Sequence, residues 1–210
     1  MSGESNARLE AGQIFELGAY PQKRRPGGFF GLIGKYPAEP VKWRVLEVEG
    51  DRALVVSVCG LDCRRYNDEL CPVTWETCSL RKWLNGEFYD RAFGDEEKSR
   101  ILEVKVVNAK HPKYETDPGR DTDDRIFCLS YDEVSRCFNS NSDRLCGATD
   151  YAVKCGAKAG KSADMPVAYW LRSPSRDSSI AATVSSSGAF ANEYVYGLAN
   201  AVRPAMYVKI

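Results

Sequence analysis

The chain has 210 residues, 43% hydrophobic and 28% charged, with 29 Lys+Arg against 29 Asp+Glu. That is ordinary globular composition and excludes a disordered chain. Zero net charge leaves no electrostatic footprint for nucleic acid, and no apolar run approaches the ~20 residues of a membrane span.

The first residues, MSGESNARLEAGQ, are polar and lack the apolar centre of a secretory signal, so a cytoplasmic location is expected unless a leader is removed. Residues 13–22, QIFELGAYPQ, read as a short strand closed by a Pro turn. KRRPGGFFGLIGKYPAEP follows, with the Gly and Pro content of a long loop or loose hairpin. VKWRVLEV (41–48) alternates, with Val41, Trp43 and Val45 on one face. Glu49-Gly50-Asp51 is a turn and RALVVSVCGL (52–61) a buried strand, so the pair reads as a hairpin. In TWETCSLRKWLNGEFYDRAF (74–93), Leu80, Trp83, Leu84 and Phe88 form one apolar stripe at helical spacing. Ser79 or Thr77 is placed to cap it, and Gly86 to break it into two short helices.

Asp95 offers the next N-cap, ahead of Glu96 and Glu97 at the positive end of a helix dipole. ILEVKVVNA (101–109) reads as strand and PKYETDPGRDTDD (112–124) as a polar loop. Ser130 and Glu133 form a capping box for a helix reaching Phe138. NSNSDR (139–144) is a polar stretch, and TDYAVKCG (149–156) a short helix stopped by Gly156. AYWLRSP (168–174), IAATVSSS (180–187) and AVRPAMYVKI (201–210) read as strands, with Gly188 and Gly197 in the turns. Pro204 cannot donate to a ladder and belongs at an edge or bulge. Strands, then helices, then strands, without βαβ alternation, predict one α+β domain over 1–210 with a twisted, mostly antiparallel sheet and short helices. Trp43, Trp83 and Leu84 are expected in the core, and Trp170 at least partly buried.

The candidate chemical motifs are weak. The eight cysteines include no Cys-x-x-Cys pair, and Cys59-x3-Cys63 is the nearest approach to zinc spacing. Mostly unpaired thiols are expected in a reducing compartment. GAKAGKS (156–162) has three residues where a phosphate-binding loop needs four, and reads as a flexible loop. Asp117, Asp121, Asp123 and Asp124 cluster as calcium ligands do, but the helix-loop-helix calcium pattern fails at Arg125. His111, the lone histidine, could serve a cysteine as base, yet Pro112 places it in an extended loop. No cofactor, no catalytic residue and no metal ligand are therefore expected. An enzyme using a cysteine near His111, or a metal-binding structural domain, is the alternative.

Residues 173–201 differ in character: 17 of these 29 are Ser, Ala, Asn or Tyr. Tyr gives rigid contact area at low entropy cost, and Ser and Asn give adaptable hydrogen bonds. The competing reading is an exposed strand-and-turn face with nothing bound.

LGAYPQ (17–22), VKWRVLEVEGDRALVVS (41–57), TWETCSLRKWLNGEFYDRAF (74–93), DRIFCLS (124–130), YWLRSP (169–174) and AVRPAMYVKI (201–210) together resemble an uncharacterised bacterial domain-of-unknown-function family. The Trp-Leu-Arg-Ser strand, the Gly-turn hairpin and the final Val-Arg-Pro strand also look like the end of C-type-lectin-like domains. That group includes formylglycine-generating-type enzymes and the variable proteins of diversity-generating retroelements. The resemblance implies a C-type-lectin-like fold and a ligand face near the C-terminus. Glu39-Pro40-Val41 departs from the Glu-Pro-Asn sugar motif of calcium-dependent lectins, and the catalytic cysteine pair of the enzymes has no counterpart here.

The expected function is therefore a non-catalytic module whose ligand is a protein or carbohydrate. Its face is expected at Arg176, Asp177, Ser178, Ser179, Asn192, Glu193, Tyr194, Tyr196 and Asn200. Tyr194 and Tyr196 are expected on one side of a strand, by period two.

Overall fold

The structure is a computed structural model that describes residues 9–27, 33–159 and 165–210. Its strands in the first half are β1 (Ile14–Pro21), β2 (Arg25–Gly27), β3 (Ile33–Lys35), β4 (Ala38–Glu49), β5 (Arg52–Ser57), β6 (Asp62–Cys63), β7 (Ile101–Leu102) and β8 (Val104–Val106). The remainder are β9 (Thr122–Asp124), β10 (Phe127–Cys128), β11 (Tyr169–Pro174), β12 (Ile180–Val184), β13 (Phe190–Tyr194), β14 (Ala201–Val202) and β15 (Pro204–Lys209). The helices are short: α1 (Ser79–Trp83), α2 (Tyr89–Ala92), α3 (Asp95–Lys98), α4 (Tyr131–Cys137), α5 (Asn141–Arg144) and α6 (Asp150–Cys155). The fold is thus mixed helix and sheet. No helix among the described residues is long and apolar enough to cross a membrane.

Two curled, mostly antiparallel sheets dominate. The first runs β1-β4-β5-β15-β10, with β7 also paired to β15; the second runs β13-β12-β11-β14-β6. The β11–β14 contact at Tyr169↔Ala201 is parallel. The expected hairpin is present: β4 and β5 close at Glu49↔Arg52, around Gly50 at φ 61°. β4 begins earlier than the alternation indicates, because β1 pairs with it as far as Pro21↔Ala38. The Gly/Pro-rich stretch before it forms the β2–β3 hairpin, whose tip lies outside the described residues. Residues 160–162 of GAKAGKS likewise lie outside them.

One hydrophobic cluster extends from Leu17 to Val208 and includes Trp43, Trp83, Leu84 and Trp170. Each fully buried indole has an acceptor, as burial requires. Trp43 Nε1 donates to Leu17 O (2.8 Å), Trp75 Nε1 to Asp124 Oδ2 (2.9 Å) and Trp170 Nε1 to Arg64 O (2.8 Å).

The helical segment at 79–92 differs from its sequence reading. Gly86 does not break it; the π-helical turn Leu84–Phe88 joins α1 to α2 and keeps Leu84 and Phe88 buried. Asn85, in that turn, binds Ile126 O (2.8 Å) and accepts from Arg125 N (2.8 Å), which ties the helix to β10's approach. Its N-cap is Cys78, whose Sγ accepts from Arg81 N at 3.4 Å. Ser79 and Thr77 are occupied elsewhere: Ser79 Oγ accepts from Asp68 N, and Thr77 bonds Thr74. Gly94, rather than Asp95, caps α3, and Glu97 reaches back to Gly94 N (2.8 Å). The Ser130–Glu133 capping box opens α4 as expected, and Gly156 at φ 122° ends α6.

Four further expectations are corrected. The 101–109 stretch divides into β7 and β8; the polar loop ends in β9, paired to β8, because Asp124 is a buried acceptor rather than a solvated one. The polar 139–144 stretch holds α5, capped by Ser140. Pro204 is at neither an edge nor a bulge. It opens β15 inside the first sheet, opposite Cys128, where a first residue tolerates a missing donor.

The Asp117–Asp124 carboxylates do not converge. Asp117 accepts from Gly119 N and Asp121 from Asn108 N, while Asp124 takes Thr122 Oγ1 (2.7 Å) and Arg81 Nε (2.5 Å).

Glu47 of β4 accepts from Nε and NH2 of Arg136 of α4, at 2.6 and 2.8 Å. The Arg136 bonds hold the Glu47 carboxyl below its ordinary range. A depressed folded value contributes stability above the unfolded pKa that is lost as pH falls through the folded one. Glu47→Gln should cost only about 0.5–1 kcal/mol at pH 7, because Arg136 is half-exposed and screened. In urea titrations that difference should hold at pH values above the unfolded glutamate range, about 4.3, and fade as pH falls through the lower folded value.

Candidate functional site

The expected face is built on the β12–β13 hairpin at one edge of the second sheet. β13 pairs with β12 from Val184↔Phe190 to Ile180↔Tyr194. Ser185 N donates to Ala189 O (2.8 Å) and Val195 N to Ser179 O (2.9 Å), so odd-numbered residues of β13 bond inward to β12. By the alternation of an antiparallel ladder, Phe190, Asn192 and Tyr194 turn their N–H and C=O outward. No other described strand pairs with that side.

Most expected residues gather here. Arg176 and Asp177 are exposed on the turn before β12, with Ser178 and Ser179 half-buried. Asp177 Oδ1 accepts from Ser179 N (2.8 Å) and Oγ (2.6 Å), bonds that hold its carboxyl below the usual range. The Ser179–Val195 bond brings this turn beside the end of β13. Asn192 is exposed and Glu193 half-buried; Tyr194 and Tyr196 are 53% and 42% exposed. Two placements are corrected. Tyr196 is not in a strand: β13 ends at Tyr194, since Gly197 N turns back to Tyr194 O (2.8 Å). Asn200 is not on the open face: it is 4% exposed, just ahead of β14.

Sequence reasoning missed the partners of this face. The loop 67–73 reaches it by Asn67 N to Val195 O (2.9 Å) and Val73 N to Ser178 O (2.8 Å). It presents Leu70, 63% exposed, to a shallow depression of about 310 Å³ lined also by Glu193, Tyr194, Tyr196 and Gly197. Tyr196 is held from behind, with the Arg65 guanidinium 3.7 Å from its ring centroid and Arg65 Nε on its carbonyl at 3.0 Å. An apolar Leu70 between Glu69 and Cys71 in a polar loop was the available signal.

A row of rings flanks the other end of β13. Phe190 stacks on Tyr131 at 4.0 Å, and His111 sits 4.7 Å from both Tyr131 and Tyr114. The Arg144 guanidinium covers Phe190 at 4.7 Å. His111, Tyr131, Ser175, Phe190 and Asn192 line a small hollow there. His111 Nδ1 accepts from Lys113 N (3.1 Å), which leaves its proton on Nε2. Burial, and then the Lys113 charge, push His111 below the ordinary imidazole value, so it is neutral at pH 7. No cysteine lines this hollow. Elsewhere, burial pushes the Cys63 and Cys78 thiols up to about 12. Such thiols are poor nucleophiles at neutral pH. Among the described residues, no three His, Cys, Asp or Glu side chains are grouped to hold a metal.

A mixed helix-and-sheet scaffold thus carries a polar, tyrosine-bearing sheet edge. The chain belongs to the family described as "Domain of unknown function (DUF6273)", which matches residues 50–210. No curated protein and no solved structure matches it.

Proposed function

We propose that the chain is a non-catalytic binding module whose ligand, a protein or a carbohydrate, docks on the edge between Ser175 and Tyr196. One observation carries this reading. Three of the exposed large apolar side chains, Leu70, Tyr194 and Tyr196, gather at one end of β13. Grouped exposed apolar groups rimmed by polar ones mark interaction sites. The Ser, Asn and Asp groups of the adjoining turn add directional hydrogen bonds. The proposal keeps a C-type-lectin-like kind of scaffold, supported by the antiparallel second sheet that presents the face near the C-terminus. It also keeps residues 173–203 as a diversified segment. A near-repeat of their coding DNA that differs mainly at adenines, beside a reverse transcriptase, would support that part, and its absence would remove it.

The test is a glycan array and a peptide array probed with wild type and with Tyr194→Ser/Tyr196→Ser. Both rings are exposed, so the double variant should unfold within a few degrees of wild type. It should lose at least tenfold in affinity for whatever wild type binds. Equal binding by the variant, or no binder on either array, would overturn the proposal.

A further inference from the structure

The β13 edge leaves unpaired backbone in a definite pattern. Phe190 and Asn192 point N–H and C=O outward with no partner among the described residues. The two sets lie roughly 6.8 Å apart, the repeat of an extended chain. Tyr194 is closed to pairing: its N–H donates to Glu193 Oε1 (2.9 Å) and its carbonyl accepts from Gly197 N. Beyond Tyr194 the edge opens into the Leu70–Tyr194–Tyr196 depression.

The depression beyond Tyr194 and its charge decide between two occupants. A second copy pairing by a two-fold axis at Ala191 would match both open sets, but by that register it would bring its uncharged Ser185–Gly188 turn to the end of the edge at Tyr194. An extended peptide can end where Tyr194 closes and turn a side chain into the depression. The charge there is also one-sided. Exposed Asp68 and Glu69 precede Leu70, and Glu193 lines the depression with Oε2 available. Arg65 is already engaged by Tyr196. A tyrosine face beside a carboxylate favours a cation, whose aliphatic stem can lie on Leu70.

We propose, resting on the binding reading above, that the partner is an extended peptide segment. It adds as a strand to β13 at Phe190 and Asn192 and places a Lys or Arg side chain between Leu70, Tyr194 and Glu193. Strand addition of this kind draws affinity from main-chain bonds and specificity from alternate side chains.

The experiment pans a random heptapeptide display library on the whole chain. Enriched sequences should be rich in β-branched residues and carry Lys or Arg at a fixed position. N-methylation of successive peptide bonds should weaken a selected peptide at least tenfold at alternate positions only. That scan leaves the protein untouched. Asn192→Pro removes an outward N–H that β12 does not use, and should weaken the same peptide at least tenfold. Glu193→Gln should erase the preference for Lys or Arg. A flat N-methyl scan with binding still lost in Tyr194→Ser/Tyr196→Ser would overturn strand pairing while the binding face stands. A ligand found only on the glycan array would overturn the peptide partner and leave the face. No enrichment in the library would overturn the inference outright.

Discussion

Arg172→Ala lowers the unfolding free energy by roughly 3–5 kcal/mol, the cost of stranding one partner of a buried ion pair. Arg172 of β11 is 4% exposed and forks onto Glu133 of α4, with NH1 at 2.5 Å from Oε2 and NH2 at 2.8 Å from Oε1. The same guanidinium donates to Cys128 O (3.0 Å) and Val107 O (3.2 Å). It therefore joins the second sheet to α4, to β10 and to the end of β8. Alanine leaves a buried carboxylate uncompensated and two carbonyls without donors. Glu133 also accepts from Ser130 N (2.8 Å), so α4 should fray at its start. Urea unfolding at pH 7 gives the magnitude; a loss under about 1 kcal/mol would show that solvent reaches the pair. Arg172→Ala/Glu133→Gln should recover part of the loss, because the stranded charge is gone.

Gly188→Ala is the second large effect. Gly188 sits in the β12–β13 turn at φ 77°, and an added Cβ would lie 1.9 Å from Asn141 O. The left-handed conformation alone costs roughly 1–3 kcal/mol for a side-chain-bearing residue. The obstacle is backbone, so the turn or α5 must move as well. We expect a loss of about 3 kcal/mol or more, at the upper end for overpacking. The damage should reach the candidate face, since Arg144 Nε holds Gly188 O at 2.7 Å and the same guanidinium covers Phe190. Gly86→Ala is the matched control: nothing lies within 4 Å of its Cβ, and it should not destabilise. Thermal unfolding of the two variants, with Tyr and Trp fluorescence of the folded states, separates the cases.

What the sequence disclosed follows from how local each signal is. The β4–β5 hairpin was legible because period-two alternation and a Glu-Gly-Asp turn act within a few residues. The α4 capping box was legible for the same reason. The helix caps at Cys78 and Gly94 were not, because distant partners decided them: Asp68 occupies Ser79, and Gly18 N shares Glu97 with Gly94. Pro204 was misplaced because a proline's missing donor says nothing about whether its strand is central. The tyrosines of the face were legible from composition. Leu70, Tyr131 and Phe190 were not, since only folding brings residues 70, 131 and 190 to one edge. Asn200 shared that composition, yet it is buried.

The position of β15 in the first sheet bears on how the chain acquires its structure. β15 lies between β5 and β10, with Met206 opposite Val55. About 150 residues separate such partners, and contacts of that span slow folding. Until residues 204–209 dock, the β4–β5 hairpin forms with one side of β5 open, and Ala53 through Val56 make that side strongly apolar. An open apolar strand edge is a template for other chains. The step most exposed to aggregation is thus the wait for the C-terminal strand. Expression at low temperature or with a chaperone that shields β5 should raise the soluble yield without altering the folded protein.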